Sequence, residues 1–489
     1  MSGGEAAGWS EEDWRDDILR RQLDLRSNVV RNLAQNLKHG GGFPTHTPEK
    51  LCDLIKHSVD LVAEHLREIP HEYLSSVDLF LCLIAEHLRF VERSRIAHTP
   101  WSMIQATEEF LARQVGTDSH FILRPQWSCN YSLSGEFIEY HRTAMGSMPW
   151  IPPGAWEKGL GGMAKQKIYC IAFPRIERLN ALLHANWGHE LGHIIAARWI
   201  QDRFGQVWAD EETQIKARMQ KAIEERFRHV PDQALFRRVI VDQYVSDLAS
   251  TAMRAARQGL TELICDAIGV HLFGPAALAA SLEFSAGLSL DESPIDCGMY
   301  PPWRYRLRLM LGTCEDDLAE RTVQIDGEEI TYPGPTITAF CEWVSGVKHL
   351  AAQDSDRAVL DHDMAVREAY NLIGREWERI RAEALAMLPD KSQKPYCLRE
   401  RQPTIEDLVD KLEHDIPPSE IGIWPDTMTA CFEDIINAAW VFKAMKLAQD
   451  KKWGCTENCE RLYRLVLKAI ESSFVQSMFG PRLAQLGAV

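Results

Sequence analysis

The stretch His189-Glu190-Leu191-Gly192-His193 places two imidazoles one helical turn apart with a carboxylate between them. On a helix, positions i and i+4 share a face, so both rings can hold one cation while Glu190, about a third of a turn away, reaches a water beside it. The flanks suit such a helix. Ala185, Asn186, Trp187 and Gly188 before the motif and Ile194, Ile195, Ala196 and Ala197 after it are uncharged, and no proline interrupts Leu182 to Ile200. A mostly buried helix is expected, and a partly dry setting is where a metal raises the reactivity of water most. The bland alternative is a helix with two ordinary histidines, packed or exposed.

At 489 residues, 45% of them hydrophobic, the chain is too long for one simple core and is expected to hold two or three lobes. A formal charge of −16 repels phosphate backbones and anionic lipid heads unless a local patch opposes it, so nucleic acid is not an expected partner. Twelve cysteines without the spacing of a disulfide scaffold, and a Gly- and acid-rich start in place of a leader, suggest a cytoplasmic protein. No apolar run is long enough to cross a bilayer, so membrane insertion is not expected. Oligomeric state is left open.

Amphipathic spacing predicts helices over about Trp9–Lys38, broken by His39-Gly40-Gly41-Gly42-Phe43-Pro44, then from Leu51 to Leu66 and from Val77 to Phe90. His57, His65 and His87 on these helices are assigned no role. Composition between Phe121 and Tyr140 turns toward β-formers, and Lys167 to Phe173 reads as a strand stopped by Pro174. That strand is either a plain core strand or an edge onto which an extended peptide can pair. Downstream, helices are expected to Arg254 and over Leu260–Leu282. A turn-rich stretch follows from Ser293-Pro294 to Pro301-Pro302, then a hairpin over Val323–Ile330 turning at Asp326-Gly327, and a mostly helical remainder.

Zinc ordinarily takes three protein ligands, and two histidines leave it one short. Thr261-Glu262-Leu263-Ile264-Cys265-Asp266 offers two carboxylates at i and i+4 on an otherwise apolar helix. Glu262 can complete the ligand set while Asp266 accepts a hydrogen bond from a ligand histidine and fixes its tautomer. Rivals for the third ligand are Asp242, Asp247, Glu211 and His271, and both carboxylates can instead face solvent. A metzincin-type third histidine is absent, since Ala196 and Trp199 stand in its place.

His-Glu-x-x-His followed by Glu-x-x-x-Asp resembles the gluzincin clan of zinc peptidases. Glu262-Leu263-Ile264-Cys265-Asp266 is similar to the version found in CAAX prenyl endoproteases and their bacterial relatives. The resemblance covers roughly Lys167 to Leu311. Where those relatives carry a His-Pro pair and an arginine, this chain has Tyr300-Pro301-Pro302-Trp303-Arg304, with Arg308 beyond. Gly161-Gly162-Met163-Ala164 lacks the glutamate with which gluzincin aminopeptidases hold a free amino terminus, which argues against exopeptidase action.

Periodicity predicts a mainly α protein with helical lobes over 1–115 and 313–489, and the resemblance implies that residues 116–312 between them form a zincin-like core with a small β-sheet. It implies Zn(2+) held by His189, His193 and Glu262, with Asp266 behind a ligand histidine. Glu190 would be the general base in hydrolysis of a peptide bond in a protein or peptide substrate. Tyr300, Arg304 and Arg308 are candidates, by sequence order, for the donor that stabilises the oxyanion; the run Arg304-Tyr305-Arg306-Leu307-Arg308 can equally be a solvated helix face. His184 and His271 are expected to be structural or to lie behind the ligands. Two other functions remain open: a non-catalytic metal-binding regulatory or interaction protein, and a zinc hydrolase of a non-peptide amide.

Overall fold

The computed structural model describes residues 11–226, 234–291, 299–325, 328–346, 364–389, 394–422 and 427–485. They form a mainly α protein with three small sheets of two or three strands. The chain divides into two compact units, Met1–Arg178 and Leu179–Val489. The boundary falls between the strand ending at Pro174 and the helix that carries His189, which the sequence had joined in one core.

The first unit holds α1 (Glu11–Gly40), α2 (Thr47–Glu64), α3 (Leu74–Arg93), α4 (Trp101–Val115), β1 (Ser119–Gln126), β2 (Ser132–Ser134), α5 (Phe137–Gly146), α6 (Ala155–Leu160) and β3 (Lys167–Pro174). Helix α1 stops where expected because Gly41 and Gly42 take positive φ values of 57° and 76°, which a side chain would resist. Pro48 in the first turn of α2 costs no hydrogen bond, and Leu51, Leu54, Ile55, Val59 and Val62 bury one stripe against α1 and α3. The β-rich composition expected up to Tyr140 ends early. Glu136 caps α5 by accepting hydrogen bonds from the Ile138 and Glu139 amides, which commits the following residues to a helix.

Strand β3 is central in its sheet, whose order is β1-β3-β2. It pairs in parallel with β1 over its full length, and antiparallel with β2 at Cys170–Ala172. It is not an edge strand, so the reading in which a substrate peptide adds to it is withdrawn.

The second unit contains α7 (Trp187–Trp199), a π-helical turn (Ile200–Phe204), α8 (Gly205–Arg226), α9 (Ala234–Phe273), α10 (Pro275–Ser285), α11 (Trp303–Leu318), the hairpin β4 (Arg321–Ile325) and β5 (Glu328–Tyr332), and α12 (Pro335–Ser345). It continues with α13 (Met364–Leu385), α14 (Gln402–Glu413), β6 (Glu420–Ile421), β7 (Met428–Thr429), α15 (Phe432–Gln449) and α16 (Thr456–Gln485). The expected turns at Ser293-Pro294 and Asp326-Gly327 lie outside the described residues. Helix α9 runs unbroken through Gly259, because the missing side chain there is filled by Ile373 and Tyr370 of α13, 3.1 and 3.4 Å from where a Cβ would stand. It ends instead at Gly274 (φ 55°) before Pro275, which splits the helix expected over Leu260–Leu282. Helix α15 is buried almost all round. From it the Trp440 indole N–H donates to the Leu182 carbonyl (3.2 Å) and the Asn437 amide donates to the Phe273 carbonyl (3.0 Å), bracing the approach to α7 and the end of α9. No helix among the described residues is long and apolar enough to cross a membrane.

The first unit buries a neutral histidine pair. The Trp156 indole donates to Ser58 Oγ (3.0 Å), and the Ser58 hydroxyl donates to Nδ1 of the fully buried His141 (2.8 Å), leaving its Nε2 facing His87 Nδ1 at 3.3 Å. Burial pushes the His141 imidazole down to about 3 and that of His87 to about 4. An unfolded chain takes up these protons near the ordinary histidine value, so the unfolded state gains stability as pH falls below about 6.5. For His141 alone this amounts to about 2 kcal/mol by pH 5. Urea melts at pH 7.5 and 5.0 are expected to show the first unit losing stability in acid, with His141→Gln losing distinctly less over the same interval. An equal loss in the variant would rule the histidine out as the cause.

Candidate metal centre

The site begins with a backbone contact. On α7, Gly188 and Gly192 lie one turn apart on the face that meets α9, opposite Gly269 and Cys265. A Cβ on Gly192 would stand 2.5 Å from Cys265 Cα, and one on Gly188 would stand 3.0 Å from Gly269 Cα, so only glycine allows the two helices to approach this closely. The same faces carry His189 and His193 on α7 and Glu262 and Asp266 on α9, since 262, 265, 266 and 269 share one side of a helix. Close approach of the backbones thus brings the chemistry-bearing side chains together.

His189 Nδ1 lies 2.8 Å from Asp266 Oδ1, and His189 Nε2 lies 3.5 Å from Glu262 Oε2. The His193 ring stands nearly perpendicular to that of His189, with centroids 5.2 Å apart, and its Nε2 is 3.9 Å from Glu190 Oε2. Glu190, Glu262 and Asp266 are buried, whereas the His193 side chain keeps 28% of its surface and is the most open member of the group.

Two residues assigned no place in this group by the sequence also enter it. Arg306, buried on α11, forks onto Asp266 with Nε to Oδ2 and NH2 to Oδ1, both at 2.8 Å, and its NH1 lies 3.3 Å from Glu262 Oε2. Its guanidinium also sits 4.2 Å from the centroid of the Trp303 ring. Cys265 is the other. Among the described residues, the group of potential metal-binding side chains whose donor atoms all lie within 4.8 Å of one another is His189, His193 and Cys265.

Arg304, Tyr305, Arg306 and Leu307 are all buried, so the run is not a solvated face. Arg304 donates to Asp291 from Nε (2.6 Å) and NH2 (3.1 Å), and Tyr300 is half-buried in a bend before α11. The arginine that the fold brings to the histidines is Arg306 rather than Arg304. Glu211 is paired with Arg375 at 2.6 Å. His184 stacks on Trp187 with centroids 4.3 Å apart, and His271 is buried with no hydrogen-bond partner for either ring nitrogen among the described residues. No signal in the sequence set Arg306 apart from Arg304 and Arg308, which stand in the same run of arginines among apolar and aromatic residues.

The electrostatics follow from burial and pairing. Burial alone would lower the His189 imidazole, but Asp266 and Glu262 hold it up at about 10. His193, with burial and the neighbouring His189 acting together, falls to about 4. Burial works against the Glu262 carboxylate, yet His189 and Arg306 overcome it and draw it down to about 2; Asp266 is pulled lower still, chiefly by Arg306. Burial and the surrounding carboxylates drive the Cys265 thiol well above its usual value.

The donors suit zinc. Two ligands each about 2.1 Å from a tetrahedral ion stand about 3.4 Å apart, which is close to the separation between His189 Nε2 and Glu262 Oε2. Nδ1 of the same ring is occupied by Asp266, so Nε2 is the nitrogen left to bind. His189 and Glu262 therefore have the separation of two ligands of one ion, whereas the set of three donors among the described residues that all lie within 4.8 Å of one another joins His189 and His193 to Cys265. Cys265 is a second possible donor in thiolate form, but burial among carboxylates opposes that ionisation.

Against known proteins, the chain matches no protein-family model, no curated protein and no solved structure. Its chemistry has to be argued from its own residues.

The glycine contact gives a direct test. Gly192→Ala is expected to push α7 from α9 and to cost about 1–3 kcal/mol, as overpacking in a full core does. A thermal melt would register this, whereas Ala197→Gly on the same helix would show only the smaller propensity loss. An unchanged melting temperature for Gly192→Ala would mean that the helices do not approach this closely.

Proposed function

We propose that the protein is a zinc-dependent endopeptidase whose reaction centre is formed by α7 and α9. The single observation that carries this reading is that His189 is held between Asp266 at one ring nitrogen and Glu262 at the other, while His193 and Glu190 stand beside it. A purely structural histidine does not need a buried carboxylate at each of its two ring nitrogens.

Zinc, when bound, supplies Lewis-acid polarisation of a water molecule and of the scissile carbonyl. The remaining work falls to the chain. Asp266 fixes the tautomer of His189 by taking its Nδ1–H, and Arg306 fixes Asp266 through both carboxylate oxygens, so the imidazole cannot rotate away. Glu190, one residue beyond His189 and within 3.9 Å of the His193 ring, accepts the proton of the attacking water and passes it to the departing amine. The developing oxyanion needs a donor, and Tyr300 and Arg308 remain the candidates for that part, since Arg304 is committed to Asp291. Substrate is a peptide bond in a protein or peptide, and cytoplasmic location remains part of the proposal.

A non-catalytic metal site, the main alternative, is separated from this reading by Glu190→Gln. A peptidase variant keeps its zinc and loses about 10²–10⁴-fold in turnover of a casein or peptide-library substrate. If wild-type protein of stoichiometric zinc content cleaves nothing in that panel, the endopeptidase reading fails and a non-peptide amide substrate comes next.

The ligand set is tested by metal analysis of purified protein. Glu262→Ala and His193→Ala are expected to fall well below one zinc per chain, while Cys265→Ser retains it. Loss of zinc in Cys265→Ser together with retention in Glu262→Ala would assign the third position to the thiolate.

A further inference from the structure

The first unit contains a cleft of about 270 Å³ whose construction is unrelated to the histidine cluster. It lies at the carboxyl ends of the two parallel strands. The last paired residues of β1 and β3 are Gln126 and Pro174, and the next residue of each chain, Trp127 and Arg175, projects into the cleft. Crevices outside the carboxyl ends of parallel strands are where such sheets commonly take small ligands, because the chain must loop away there and leaves side chains converging on a gap.

The groups that converge are chemically specific. Trp127 is 72% exposed, unusual for so large an apolar ring, and the Arg175 guanidinium lies over it, 4.5 Å from the ring centroid. Stacking on one face holds the indole in place and leaves the rest of its surface for a second planar group. Arg93, at the end of α3, stands half-buried in the same cleft with the imidazole of His98. Neither Arg93 nor Arg175 is paired with a carboxylate among the described residues. In a chain of net charge −16, two unpaired arginines in one cleft form a local reversal of the mean field. The remaining charged side chain there is Glu92, an acceptor needing a donor.

These features narrow the ligand. An inorganic anion would satisfy the arginines and leave the exposed indole unused, and an aromatic carboxylate would give Glu92 nothing to accept. A nucleotide has all three complements: a flat base to stack, ring and exocyclic N–H groups for a carboxylate, and a phosphate that an arginine fork fits. The cleft is slightly smaller than the roughly 300 Å³ at which small-molecule sites usually begin, which suits one nucleotide and not a longer strand.

We propose that this cleft binds a ribonucleoside monophosphate, with the base stacked on Trp127 and the phosphate held between Arg93 and Arg175. The site is independent of zinc and of peptide hydrolysis.

Isothermal titration of the full-length protein with GMP and with AMP tests the assignment. Saturable binding of at least one is expected, weakened about tenfold or more in Trp127→Ala and in Arg93→Ala, and unchanged in His193→Ala. Trp127 is exposed, so its replacement should leave the circular dichroism and melting curve as they were. Arg175→Lys gives a second reading, since it keeps the charge but loses the planar stack, and it should weaken binding too. The proposal is overturned if neither nucleotide binds below about 5 mM, if the Trp127 variant binds as the wild type does, or if inorganic phosphate competes as strongly as GMP. Tighter binding of a single-stranded oligonucleotide than of the monomer would overturn it as well, replacing the small ligand with a polymer.

Discussion

The meeting of α7 and α9 at glycine is the contact on which the candidate centre depends. Helices normally pack with axes 8–10 Å apart, set by the side chains between them. Here Gly188 and Gly192 face Gly269 and the backbone of Cys265, so the intervening side chains are removed from the contact itself and remain only to either side. That geometry is what lets residues from two helices address a single point. It also explains the bracing around it: α15 ties down the entrance to α7 and the exit of α9, and α13 packs into the notch at Gly259 on α9.

Much of the candidate centre was legible because it is written at helical spacing. His189 and His193, then Glu262 and Asp266, each repeat after four residues, and the rule that such pairs share a face holds whatever surrounds them. The sequence suggested that Asp266 meets one of the two histidines without saying which, and in the structure it meets His189. Arg306 was not legible, because its place is set by the rotation of α11 about its axis and no local pattern fixes that angle against a distant helix. Arg304, two residues before it, meets Asp291 instead for the same reason. Cys265 was passed over as the small residue between two carboxylates, although the spacing that brings Glu262 and Asp266 to α7 necessarily brings it too.

The fold was less legible where tertiary contacts override local signals. Gly259 reads as a helix interruption and is instead a socket for Ile373. The strand over Lys167–Pro174 has the composition of either an edge or a centre, and only its pairing on both sides decides that it is central. The division of the chain at Arg178 falls in a stretch without a run of glycine, serine or proline, so composition gave no hint of it. The mainly helical character, by contrast, followed from periodicity over long segments, which is where such reasoning is strongest.

The forked arginine carries one more implication. Asp266 and Glu262 contribute two negative charges that Arg306 and a protonated His189 match, and Glu190 adds a third buried carboxylate to the group. A small zinc finger has no such internal counterweight and collapses when stripped of its metal. Here the carboxylates Asp266 and Glu262 already have cationic partners within the chain, so their burial does not wait on an ion.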